Sequence, residues 1–253
     1  MSEKQRFGSS RLKITVVNFI QRPLPVGSTT GNDPRPDGRP GALNKGQRAS
    51  TGLITFNRFW AYCTPLIGGW LADSRWGRLK TIQVAIAFAM IGHIIIIVAS
   101  IPSVIRNSNG ALGCLSLGIV FFGAGVGGFK ANIAPLMAEQ LQAGKLHIKV
   151  LKDGSRVIVD PAMTTQRSFM YFYLCINIGS IVGQISMVYA ERYVGFWLSF
   201  LLPTIMFAVC PVVLLIFSGR YYHRPPTGSV FAKSMSLINY ALKGKVSANP
   251  AKT

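Results

Sequence analysis

Lys130 stands inside GAGVGGFKANIAPLMAEQ, residues 123–140, where nearly every neighbour is glycine or apolar. An ammonium near the interior of a bilayer costs several kcal/mol unless it is paired or hydrated, so a cation in such a stretch points to ion or substrate handling. The alternative is a side chain that snorkels to the aqueous interface, about two turns further along the same helix. Gly123, Gly127, Lys130 and Ala134 recur at helical spacing, which puts one cation in a narrow face of small residues. That face has to meet another helix or a water-filled cavity.

Two further polar series run at helical steps. Tyr173, Asn177, Ser180 and Gln184 form one, and Thr51, Thr55, Arg58 and Tyr62 the other. Converging faces of this kind line a polar cavity; taken singly, each residue serves equally well as a hydrogen bond between helices. His93, beside IIII, is a packing or hydrogen-bonding residue, with a proton relay as the alternative. Gly179 and Gly183, spaced as GxxxG, suit close helix packing.

The elements that must position these residues follow from composition. Of 253 residues 49% are hydrophobic and only 14% charged, too oily for a soluble domain of that length, so an integral membrane protein is expected. The formal charge of +19 sits in short clusters between apolar runs, which suits a lipid headgroup layer as partner and not nucleic acid. Cys63, Cys114, Cys175 and Cys210 lie in apolar runs without CxxC spacing, which suggests small packing residues and no metal site or disulfide framework. No cofactor is indicated. The sequence has no GxSxG, HExxH or P-loop, and the glycine run 123–128 lacks the GK[ST] ending, so no enzyme is expected.

Five segments approach the roughly 20 residues a spanning helix needs, at about 50–72, 80–101, 111–138, 168–190 and 196–218. Short connections make successive helices antiparallel neighbours in a bundle. Residues 21–47, rich in Pro, Gly and Thr, are expected to be a solvent-exposed loop, while 141–165 and 219–253 are polar and basic. No apolar signal-peptide core follows Met1. Placing 73–80, 141–167 and the tail on one side gives that side fourteen Lys and Arg against seven opposite, and the positive-inside rule makes it cytosolic.

Three stretches resemble a known family. GGWLADSRWGRLKTI (68–82) is similar to the loop between the second and third helices of the major facilitator superfamily, in the form found in the proton-dependent oligopeptide transporter (POT) family. GGFKANIAPLMAEQ (127–140) and FMYFYLCINIGSI (169–181) resemble that family's fourth-helix and fifth-helix signatures, and IQRPLPVGSTTG (20–31) the first external loop of its fungal members. The resemblance implies an all-α membrane protein, a partial amino-terminal helical bundle with about five complete transmembrane helices. Residues 1–20 would be a remnant of the first helix, 21–47 an extracytosolic loop, 48–218 the bundle and 219–253 a basic cytosolic tail or linker.

It also implies symport of small peptides with protons, at the plasma membrane. The other readings are a non-transporting membrane fragment, either a pseudogene product or one that binds a full-length relative, and a carrier of another small solute such as nitrate. By residue, Lys130 matches the proton-coupling lysine, and Tyr62 and Asn177 match peptide-contacting positions, with Tyr173 and Lys130 in the same substrate set. Asp73, Gly77 and Arg78 match the cytosolic gate motif. The implied partners are peptides, protons and the bilayer. Departures accompany the match: Gln5 stands where the first-helix ExxER motif has glutamate, Arg6 and Phe7 fit it, Arg11 and Lys13 interrupt the span, and Arg58 and Arg75 are unexpected cations. An incomplete amino-terminal half is therefore expected.

Overall fold

The computed structural model describes residues 15–140, 147–150, 153–221 and 230–242. Helix α1 is described over 15–21 and is followed by α2 (Gly46–Leu71), α3 (Arg78–Ala99), the single turn α4 (Pro102–Ile105) and α5 (Ser108–Gln140). Strands β1 (His147–Val150) and β2 (Arg156–Val159) come next, then α6 (Pro161–Tyr193), α7 (Phe196–Ile216) and α8 (Val230–Leu242). Breaks between helices fall where the residue types demand them. Gly77 at φ 76° and Gly195 at φ 134° occupy backbone that L side chains rarely adopt, and prolines open α4 and α6. The Asp160 carboxylate caps α6 by accepting from the Ala162 N–H at 2.9 Å, so this helix starts at Pro161 and not near 168 as expected.

All five expected segments are helical. Four of them, α3, α5, α6 and α7, are long and apolar enough to cross a membrane. The fifth, α2, has 26 residues and the length to do so, but Arg48, Asn57, Arg58 and its threonines dilute its apolar character.

Helix α5 packs along both α3 and α2, and α7 packs against α3 and α6. Small residues permit the closest approaches: a Cβ on Gly68 would lie 2.6 Å from Gly128 Cα, and one on Gly92 or Gly125 would strike the facing backbone of α5 or α3. Gly179 and Gly183 do otherwise, having open space around them, so their GxxxG spacing makes no close helix contact among the described residues. One apolar cluster joins Phe19, Leu43, Leu115, Phe196 and Phe200, and a second, at the other end of α3, joins Leu79, Ile82, Ile86, Leu136 and Leu214.

The segment between α1 and α2 is a loop tied to the bundle at several points. Leu43 N–H donates to Phe19 O at 2.9 Å and Lys45 N–H to Ile20 O at 2.8 Å, while Ala42 and Leu43 are buried. Across the α6–α7 turn, Thr30 Oγ1 donates to Val194 O at 2.9 Å, and Arg192 Nη2 to Arg35 O at 3.0 Å. Asp33 organises the tip through Arg35 Nε and Nη2, both at 2.8 Å, and Arg39 N–H at 3.1 Å. The Arg35 guanidinium holds the Asp33 carboxyl at a pKa of about 2. Proline and glycine thus mark a chain that turns often, while its polar ends are tied to the bundle.

Candidate functional site

Where α2 ends, the chain makes one wide turn over Ala72–Trp76, and Gly77 N–H closes it by donating to Ala72 O at 3.0 Å. The positive φ of Gly77 then reverses the path so that α3 starts at Arg78. This geometry brings the two charged residues of the gate motif together. Arg78 Nη2 lies 3.4 Å from Asp73 Oδ1, and Arg78 Nε donates to Glu139 Oε1 at 2.7 Å. The Arg78 and Asp73 side chains are about a quarter exposed (27% and 26%) and Glu139 less so (14%), so the ion pairs are partly shielded from water.

Sequence reading missed Glu139. Its signal was available: a carboxylate in the last turn of α5 opposes the helix dipole, and such an acid needs a cation from elsewhere. The planar guanidinium of Arg78 serves both carboxylates at once and links the turn after α2, the start of α3 and the end of α5.

The other candidates lie outside this cluster. Lys130 is exposed, although Gly123 and Gly127 on the same expected face are buried against Trp60 and Thr64 of α2. The narrow face therefore divides: its glycines meet α2 and its lysine does not. Among the described residues no carboxylate pairs with Lys130. Tyr62 is 69% exposed on α2 and Tyr173 51% exposed on α6, and exposed Asn177 only bonds back to Tyr173 O at 2.7 Å. Thr51, Thr55 and Arg58 are exposed with Tyr62, so the α2 series forms one continuous uncovered stripe.

Hydrogen bonds between helices come from different polar residues. Trp60 Nε1 donates to Val120 O at 2.9 Å, Thr64 Oγ1 to Gly123 O at 3.1 Å, and Asn132 Nδ2 to Gly68 O at 3.2 Å. Asn132, fully buried two residues from Lys130, thus holds α5 to α2. The asparagine of the opening stretch is structural where the lysine is not. Glu191, also unforeseen, is buried and accepts from Thr15 Oγ1 and Asn18 Nδ2, both at 2.7 Å, which ties α1 to α6.

His93 takes the packing role. His93 Nδ1 lies within hydrogen-bond distance of Thr204 Oγ1 at 3.1 Å, and that hydroxyl also donates to Phe200 O at 2.8 Å. Phe122 lies edge-on to the imidazole at 4.7 Å. The ring lines an apolar cavity of about 80 Å³ with Val16, Leu53, Asn57, Leu115 and Phe200. Gln5, Arg6, Phe7, Arg11 and Lys13 lie outside the described residues.

An antiparallel bundle with four helices long and apolar enough to cross a membrane, and an ion-paired turn between its second and third helices, marks an integral membrane protein. The family model described as "PTR2: POT family" matches residues 79–253, and the chain belongs to that family. Over 233 residues it is 38% identical to peptide transporter PTR2 of Candida albicans, covering 90% of this chain and 37% of that protein. To peptide transporter PTR2 of Saccharomyces cerevisiae it is 39% identical over 216 residues, covering 85% of this chain and 36% of the relative. The chain thus spans little more than a third of the length of these curated relatives.

Solved structures show the same fold. The POT family transporter PepTSo superposes with a TM-score of 0.67 at 21% identity, over 97% of this chain and 41% of that one. An auto inhibited POT family peptide transporter gives 0.61 at 20% identity, over 88% of this chain and 36% of that one.

Proposed function

We propose that this chain forms part of the amino-terminal half of a proton-coupled symporter of di- and tripeptides at the plasma membrane, and is not an enzyme. The observation that carries the reading is Lys130, an exposed cation without a carboxylate partner among the described residues, on a helix apolar enough to cross a bilayer. An ammonium so placed needs an anion, and a peptide carboxylate or an acidic side chain that takes up and releases a proton supplies one. The names of its relatives as peptide transporters support peptides as the cargo.

In this reading Tyr62, Tyr173 and Asn177 hydrogen-bond the peptide backbone, which every small peptide has, and so select for length more than for side chains. Asp73, Gly77, Arg78 and Glu139 form the cytosolic gate, whose ion pairs break and reform as the bundle rocks between inward and outward openings. The turn at 72–77, the strand pair and the tail face the cytosol, and the segment at 21–47 faces outside.

The test is uptake into proteoliposomes by a full-length chimera in which residues 15–221 replace the matching part of the Candida albicans relative. Labelled dipeptide should accumulate when an inward proton gradient is imposed, and labelled nitrate should not. Nitrate accumulation without dipeptide uptake would overturn the peptide reading, and accumulation of neither would favour a non-transporting fragment.

A further inference from the structure

We propose that the β1–β2 hairpin is a lipid anchor, which lays one face against the anionic headgroups of the leaflet on its own side of the membrane. The strands pair antiparallel with Ile148 opposite Ile158 and Val150 opposite Arg156. Alternation along each strand puts these four residues on one face. That face is uncovered: Ile148, Val150 and Ile158 are 65%, 60% and 73% exposed, and among the described residues the strands make their substantial contacts only with each other.

Uncovered isoleucine and valine on an isolated hairpin need a partner, since two strands alone are marginally stable in water. Position and charge select the bilayer. Asp160 alone separates β2 from α6, a helix apolar enough to cross a membrane. If 168–190 fills the hydrocarbon core, the first seven residues of α6 extend about 10 Å beyond it, which is headgroup depth. Residues 145–156 carry Lys145, Lys149, Lys152 and Arg156 against a single acid, Asp153. That acid is engaged in the turn, where Ser155 donates from its N–H at 3.1 Å and its Oγ at 2.8 Å. A basic segment with an apolar face, held at headgroup depth, matches an anionic leaflet in both charge and polarity.

The experiment uses the chain in nanodiscs of phosphatidylcholine alone and of phosphatidylcholine with phosphatidylserine. Cys63, Cys114, Cys175 and Cys210 are replaced by alanine or serine, and Ile148→Cys or Ile158→Cys carries an environment-sensitive fluorophore. With phosphatidylserine, emission should shift to the blue and be quenched by brominated acyl chains. High salt should reverse both changes, and Arg156→Gln, which removes the cation on that face, should weaken the contact by about fivefold. Emission typical of water in both kinds of disc would overturn the proposal. So would equal shielding in both, because that pattern belongs to a protein surface covering the hairpin. Among the described residues the hairpin makes no substantial contact with the bundle, and circular dichroism of each variant should match the parent.

Discussion

At the turn between α2 and α3 one guanidinium answers two carboxylates, at 3.4 Å from Asp73 and 2.7 Å from Glu139. Arg78 is suited to this because its fork offers separate donors to each acid, whereas a lysine offers one compact charge. Removing either acid leaves the other in place, so the bundle should fold while the proposed gate loses part of its stabilisation. Asp73→Asn and Glu139→Gln in the full-length chimera should each lower dipeptide uptake about two- to fivefold, the effect of a partly shielded pair worth about 0.5–1 kcal/mol. Dipeptide binding in detergent should stay near the parental value. Equal losses of uptake and binding would point to misfolding and remove the gate role. Gly77 belongs to the same device, since its φ of 76° lets Arg78 begin a new helix next to Asp73.

The elements divide into those the sequence reveals and those it hides. Apolar runs located every long helix, because a segment in lipid must satisfy its backbone internally and the chain writes that need as some twenty apolar residues. The start of α6 was placed late because 161–167 is polar, although Asp160–Pro161 is a cap signal. Asp73 and Arg78 lie five residues apart and could be seen together, whereas Glu139 is sixty-one residues from Arg78 and is joined to it only by the packing of α3 on α5. The same distance in sequence hid the Glu191 contacts with Thr15 and Asn18, and the ties from Thr30 and Arg192 across the α6–α7 turn. Which side of the membrane these elements face rests on the cation count. Val26→Cys, at a fully exposed site in the segment between α1 and α2, should react with an impermeant maleimide from outside intact cells, and Ser155→Cys in the hairpin turn should not. The reverse pattern would invert the orientation.

For the whole molecule, the uncovered surfaces matter as much as the core. The stripe from Thr51 to Tyr62 on α2 and the exposed Tyr173 and Asn177 on α6 carry polar groups that make no hydrogen bond to another helix among the described residues. Lys130 is exposed as well, on the helix that packs between α2 and α3. Polar groups left open on apolar helices are costly in lipid, and a transporter recovers that cost by lining a hydrated cavity with them. The measurement that tests this most directly is dipeptide transport by the chimera carrying Lys130→Ala, recorded with an imposed proton gradient and again as counterflow exchange without one. Coupling through Lys130 predicts that gradient-driven accumulation is abolished while exchange is partly retained. Gradient-driven accumulation at the parental rate would contradict it and leave Lys130 as a cation that merely reaches the aqueous interface.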